Sequence, residues 1–275
     1  MIAEKTTTAV TPTPRAEAPF TNRPSASFLS ARYVYIDGMR IYSAAWSSDR
    51  AKGRPPIIML HGVGVSGRYL EPTAALLANR RSVYIPDLPG FGQSDKPVRA
   101  PGITEIADFT AAYMDTIGIR EAAVVAHSFG CDVAIDLALR HPNRVTKLIL
   151  AGPTGDPFNR KGSALALRLF IDALLEPKAL IPYGARTYLQ SGIRRFWRTV
   201  QFIKRNPIVE KLPLIKLPIL FVRGSHDPLF SQRWANRALG LLPRSRLVVI
   251  DGAAHAVTYS KPAEFSRAVE EFLRT

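Results

Sequence analysis

At 275 residues and 47% hydrophobic, the chain has enough apolar material for a substantial core, and one elaborated α/β domain fits that length better than two small ones. A single cysteine, Cys131, excludes an internal disulfide and makes a reducing cytoplasm the default location, and no run of 18 apolar residues is present to span a membrane. The net charge of +15 is concentrated: between Gly155 and Leu217 stand 12 Lys or Arg against 4 Asp or Glu, over half the excess in under a quarter of the chain.

Residues 1–27 show neither an apolar targeting core nor hydrophobic periodicity and are expected to form a disordered tail. Glu4 and Glu17 argue against a transit peptide. A hairpin is predicted next, from Arg32 to Ile36 and Arg40 to Trp46 around an Asp37-Gly38 turn. Four continuous apolar runs then read as buried parallel strands: Ile57 to Leu60, Ser82 to Pro86, Ala122 to Ala126 and Lys147 to Ala151. Helical stretches at Tyr69 to Asn79, Thr104 to Ile117 and Phe129 to Arg140 separate them, each long enough for a right-handed crossover.

The rhythm breaks after Gly152. Residues 153–217 are too long for one crossover and carry helical patterns at Ser163 to Glu176 and Gly192 to Lys204, punctuated by prolines, so they read as an inserted lid. Strand patterns return at Pro218 to Arg223 and Leu247 to Asp251, before a last helix from Pro262 to Leu273. The expected organisation is a tail (1–27), a first core part (28–152), a helical lid (153–217) and a second core part (218–275).

The chemistry centres on VVAHSFGCD, Val124 to Asp132, where Ser128 stands at a strand-to-helix junction with small residues two before and two after it, Ala126 and Gly130. Ala-x-Ser-x-Gly alone arises by chance about 0.2 times in a chain this long. The order of further residues supports it: Asp227, in GSHDP, follows one predicted strand, and His255, in GAAHA, follows the last. A serine hydroxyl becomes an effective nucleophile when an imidazole accepts its proton, and a carboxylate must hold that imidazole in one tautomer. The glycine-rich turn in LHGVGVSG, after the strand ending at Leu60, suits an oxyanion site made of backbone N–H groups, with those of Val63 and Phe129 as candidates.

Together with PDLPGFGQSDKP from Pro86 to Pro97, these motifs resemble the α/β-hydrolase superfamily from about Tyr33 to the C-terminus. Among its branches the HGxG turn and compact lid are similar to bacterial esterases, meta-cleavage-product hydrolases and cofactor-free haloperoxidases. The resemblance implies a mostly parallel sheet covered on both faces by helices, no cofactor, and hydrolysis of an ester or related acyl bond by Ser128, His255 and Asp227. The alternatives are a carbon-carbon bond hydrolase, which commonly carries a tryptophan soon after the histidine where this chain has HAVTYSKP, and a non-catalytic ligand-binding scaffold.

Competing readings accompany each residue. Ser128 also suits a helix N-cap, Asp227 a turn before Pro228, and Asp156 is a rival acid. His61, Gly62, Gly64, His127 and Trp197 are candidates to line the site of a small, apolar acyl substrate, although His61 also suits holding the oxyanion turn, and Ser66 is a weaker candidate to touch substrate. Cys131 reads as a packed residue, and no histidine pair has metal-ligand spacing. The basic segment Ile193 to Arg205 is either a solvated face or an attractor of anionic membrane lipid. Nucleic acid is not expected, because no binding module accompanies the charge.

Overall fold

A computed structural model of the chain describes residues 28–157 and 162–275, so the expected tail lies outside the described residues. The opening hairpin pairs β1 (Phe28–Ile36) with β2 (Met39–Trp46) in the register Ile36 opposite Met39, and Asp37 and Gly38 turn the corner with φ of 48° and 78°. Positive φ at both central residues is what a two-residue turn matched to strand twist requires. β3 (Ile57–Leu60), β4 (Val83–Pro86), β5 (Ala122–His127), β6 (Val145–Ala151), β7 (Ile219–Gly224) and β8 (Ser245–Ile250) complete an eight-stranded sheet in the order β1-β2-β4-β3-β5-β6-β7-β8. β2 runs antiparallel to β1 and β4, and the pairs from β4 to β8 are parallel.

The central strands β3 and β5 are buried along their whole length because both faces are covered, while the edge strands β1 and β8 carry exposed positions. Ile58, Leu60, Val124, Leu148 and Phe221 face α2 (Ile103–Thr116), α3 (Phe129–Arg140) and α8 (Gln232–Gly240) through Met114, Ile135 and Trp234. Their alternates Ile57, Met59, Val125, Ile149 and Val222 face α1 (Glu71–Leu77) and α10 (Pro262–Arg274) through Leu77, Phe265 and Val269. The chain steps from β3 to β4 on one side and returns to β5 on the other, so β3 and β5 flank a topological switch point. A crevice opens beyond the carboxyl ends of strands at such a point.

Between β6 and β7 lie α4 (Gly162–Leu175), α5 (Leu180–Ser191), α6 (Ile193–Arg205) and the short α7 (Ile208–Lys211). A one-turn helix, α9 (Val257–Ser260), follows β8. Two helices depart from the sequence expectations. Pro182 reads as a breaker but sits in the first turn of α5, where its missing N–H costs nothing. α8 is capped by Ser231, whose side chain accepts from the Trp234 N–H at 3.2 Å; its inward positions, Trp234, Ala235 and Ala238, are mostly small and interleaved with arginines, which hides the stripe.

The join between β5 and α3 is the tightest place in the sheet. Ser128 holds φ 54° and ψ −123°, and Gly130 lies so close to β3 that an added Cβ would stand 2.4 Å from the Leu60 carbonyl oxygen. Gly130→Ala is therefore expected to lower the melting temperature by several degrees, as overpacking against backbone costs about 1–3 kcal/mol. Gly240→Ala, at the end of α8 with open space around it, is expected to leave the melting temperature unchanged or raise it. Thermal unfolding of the two variants side by side checks this.

Candidate active site

Loops at the carboxyl ends of β7 and β8 bring Asp227 and His255 into hydrogen-bond contact, and Ser128 stands at the carboxyl end of β5. The Asp227 carboxylate is buried and divided between two tasks: Oδ1 accepts the N–H groups of Leu229 (2.8 Å) and Phe230 (2.9 Å), while Oδ2 accepts from His255 Nδ1 at 3.0 Å. The turn-forming and histidine-orienting readings of Asp227 thus coexist in one side chain. The rival Asp156 lies elsewhere, accepting from the Ser231 hydroxyl at 2.9 Å.

With Nδ1–H donated to Asp227, His255 presents Nε2 as the free imidazole nitrogen, and that atom is buried without a hydrogen-bond partner among the described residues. Its ring rests on Gly152, where an added Cβ would stand 2.7 Å from His255 Cε1 at a φ of 57°. The neighbouring Ala151 carbonyl accepts the Ser128 N–H at 2.9 Å, so serine and imidazole flank the same strand end. Burial opposes charge on His255, but the Asp227 carboxylate outweighs it, with Asp172 and Glu176 adding to the effect, and lifts the imidazole to about 9. Burial likewise disfavours charge on Asp227, yet the His255 partner and two backbone N–H groups hold it below the ordinary carboxylate range.

A relay of buried hydrogen bonds ties the serine's surroundings to the histidine loop. The Gly62 N–H donates to the Tyr69 hydroxyl (2.9 Å), that hydroxyl donates to His127 Nδ1 (2.7 Å), and His127 Nε2–H donates to the His255 carbonyl (2.9 Å). His127 stacks 4.8 Å from the His255 ring, and burial drives its pKa down to about 3, which keeps it neutral and able to accept from Tyr69. His61 is fully buried, donates from Nδ1 to the Gly62 carbonyl (2.8 Å) and accepts the Leu88 N–H at Nε2 (2.9 Å), with burial lowering it to about 4.

Of the residues expected to line the substrate site, His61 and His127 have both ring nitrogens engaged in hydrogen bonds within the protein. Gly62 has its N–H committed to Tyr69 and lies with a would-be Cβ 3.4 Å from that of Ser128. Gly64 is covered by the lid: Tyr188 and Phe196, edge to face at 5.0 Å, press on it. Trp197 is 58% exposed on the outside of α6, because the neighbouring Phe196 turns inward in its place. The Ser66 hydroxyl lies 2.8 Å from the Tyr183 phenol, which donates to the Ser66 carbonyl and so anchors α5 to the turn. Val63 packs beside the core, and Phe129 opens α3, where first-turn N–H groups lack helical partners. Cys131 is buried beneath Ser128 with its thiol donating to the Ala126 and Ala151 carbonyls, and burial pushes its pKa up.

Two lid carboxylates escaped the sequence reading. Asp172 Oδ1 accepts the His255 N–H (3.2 Å) and Glu176 Oε1 accepts the Ala256 N–H (2.5 Å), while Arg168 donates to the Pro228 carbonyl. Arg168 and Asp172 of α4 and Glu176 just past its end, spaced by four, form one stripe that clasps the aspartate and histidine loops. Burial raises Glu176 to about 7.

Residues 57–268 match the model of the alpha/beta hydrolase family, and the chain belongs to that family. It is 36% identical over 213 residues to a 2-hydroxymuconate semialdehyde hydrolase of a Pseudomonas species, covering 70% of this chain and 68% of the relative. It is 27% identical over 246 residues to a putative carbamate hydrolase of a Caulobacter species, covering 81% and 92%. Among solved structures, the enol-lactonase from Burkholderia xenovorans superposes with a TM-score of 0.75 at 20% identity, covering 88% of this chain and 100% of that one. The chain is thus similar to hydrolases of several substrate classes on one fold.

Tyr69→Phe removes the central hydroxyl of the relay and leaves the Gly62 N–H and His127 Nδ1 buried and unpaired, at about 1–3 kcal/mol. The expected outcome is a melting temperature lower by roughly 2–4 °C per kcal/mol, measured by thermal unfolding. A second expectation concerns charge: because Glu176 raises the His255 pKa, Glu176→Gln should lower it while keeping an acceptor for the Ala256 N–H. Imidazole NMR titration reads that shift without reference to activity, and an unmoved or raised value would contradict it.

Proposed function

We propose that the protein is a serine hydrolase that cleaves a carboxylic ester or related acyl bond through a covalent acyl-enzyme. The observation that carries the reading is His255: its Nδ1 is fixed on Asp227, and its Nε2 is buried, unpartnered among the described residues and set beside the strand end that holds Ser128. In this mechanism Nε2 takes the Ser128 proton as Oγ attacks the substrate carbonyl. The N–H groups of Val63 and Phe129 receive the developing oxyanion, and the imidazolium returns the proton to the leaving group. Water, deprotonated by the same Nε2, then cleaves the acyl-serine and restores the hydroxyl.

The lid accounts for substrate character in this reading. Tyr188 and Phe196 cover the glycine turn with ring edges, which favours an apolar acyl group. A second reading, hydrolysis of a carbon-carbon bond in a ring-fission dienoate, is favoured by the 36% identity to the 2-hydroxymuconate semialdehyde hydrolase. It would use the same three residues. Against it stands the run from His255 to Pro262, HAVTYSKP, which lacks a tryptophan.

Turnover of short p-nitrophenyl esters, compared with a ring-fission dienoate, separates the two readings. Ester hydrolysis that Ser128→Ala reduces by at least about a thousandfold, in a variant with unchanged circular dichroism, is the expected result. Dienoate cleavage with no ester turnover would reverse the ranking. The base must be neutral in the free enzyme, so kcat/KM is expected to rise with pH as His255 loses its proton near about 9. A flat profile would contradict that role.

A further inference from the structure

α4 is built inside out. Its polar stripe, Arg168 and Asp172 with Glu176 just past its end, grips the body, while Leu167, Phe170, Ile171 and Leu174 face solvent, with Phe170 62% and Leu174 70% exposed. The exposure continues on the next two helices through Ile181 and Leu189 of α5 and Ile193 and Trp197 of α6. Large apolar side chains exposed on three successive helices mark a place of contact.

Charge accompanies it. The outward positions of α6 place Ile193 and Trp197 beside Arg194, Arg198 and Arg205, while the lid acids Asp172 and Glu176 are turned inward onto backbone N–H groups. At the α5–α6 corner a cavity of about 390 Å³ is lined by Arg99, Arg194, Arg195 and Arg198 together with Val98 and Gly192. Arg99 is paired with Glu105, and Arg195 donates through Nη2 to the Pro97 carbonyl, but its Nε and Nη1 are buried without a partner. Arg194 and Arg198 form no ion pair among the described residues, and such exposed arginines beside the exposed Ile193 and Trp197 of the same helix call for an anion attached to something apolar.

We infer that the outer face of the lid docks on anionic lipid, with Leu, Ile, Phe and Trp side chains entering the acyl boundary and the arginine cavity taking a phosphate headgroup. A second copy of the chain fits less well, since a self-complementary contact would oppose two faces of the same positive sign. Residues 1–27 offer few large apolar side chains, chiefly Met1, Ile2, Val10 and Phe20, too few to cover three helices. Lipid satisfies both halves of the surface at once.

The structure supplies its own reporter. Trp46 and Trp234 are 6% and 0% exposed, so a change in tryptophan emission on vesicle binding reads Trp197. The full-length protein is mixed with phosphatidylcholine vesicles, with vesicles containing phosphatidylglycerol, and with inorganic phosphate alone. The expected result is cosedimentation at least about tenfold stronger with the anionic vesicles, weakened by salt, and accompanied by a blue shift that phosphate alone does not produce. Arg194→Glu with Arg198→Glu should reduce binding by about tenfold or more, and Leu174→Ser with Phe170→Ser should do so without changing the melting temperature. Equal binding to neutral and anionic vesicles, or binding to neither, would overturn the inference. So would a concentration-dependent dimer that buries Trp197 in place of vesicle binding. None of these readouts requires turnover, so they stand apart from the role given to Ser128.

Discussion

Ser128 sits in a backbone conformation that side-chain-bearing residues avoid, at φ 54° and ψ −123°, and the surrounding structure is arranged to keep it there. A residue held in such a region costs about 1–3 kcal/mol and persists only when its neighbours over-determine it. β5 ends and α3 begins within this one residue. The strand is pinned to β6 by the Ser128 N–H on the Ala151 carbonyl, and the helix is pressed onto β3 at Gly130. The strained turn places Ser128 at the carboxyl end of β5, beside the switch point between β3 and β5.

The other loops depend on the same strand ends. The glycine turn after β3, the aspartate loop after β7 and the histidine loop after β8 are joined by hydrogen bonds more than by apolar packing. Tyr69 and His127 link the first to the last, and Asp227 Oδ2 links the second to the last. Among the described residues around these loops, the buried side-chain atoms without a hydrogen-bond partner are His255 Nε2, Thr258 Oγ1 and Glu176 Oε2. An unpaired buried nitrogen is costly unless something is to occupy it, which makes it the natural place for a proton in transit. The lid closes the web from outside through Asp172, Glu176 and the Tyr183 phenol.

Much of this was legible in the sequence, for identifiable reasons. Strands buried on both faces appear as unbroken apolar runs, and the six parallel-sheet strands fall within two residues of where those runs lie. Asp227 and His255 were legible as neighbours because each follows such a run at a turn, and the parallel pairing of β7 with β8 brings those two strand ends together. What stayed hidden depends on tertiary closure. Tyr69 is 7 residues from Gly62 but 58 from His127, and no local pattern joins them. Asp172 and Glu176 carried no local signal, because their partners are backbone N–H groups 83 and 80 residues away. Trp197 faces outward while the neighbouring Phe196 packs on Tyr188 and the glycine turn, a choice that only tertiary packing makes.

The chain's membership of the alpha/beta hydrolase family sets the fold, while the role of Ser128 rests on local geometry. The most direct measurement is mass spectrometry of the protein quenched in acid during turnover of p-nitrophenyl acetate. The account predicts a mass increase of one acetyl group, mapped to the peptide that contains Ser128 and lost on continued incubation at neutral pH. Turnover without any acyl adduct, or an adduct carried by another residue, would contradict it.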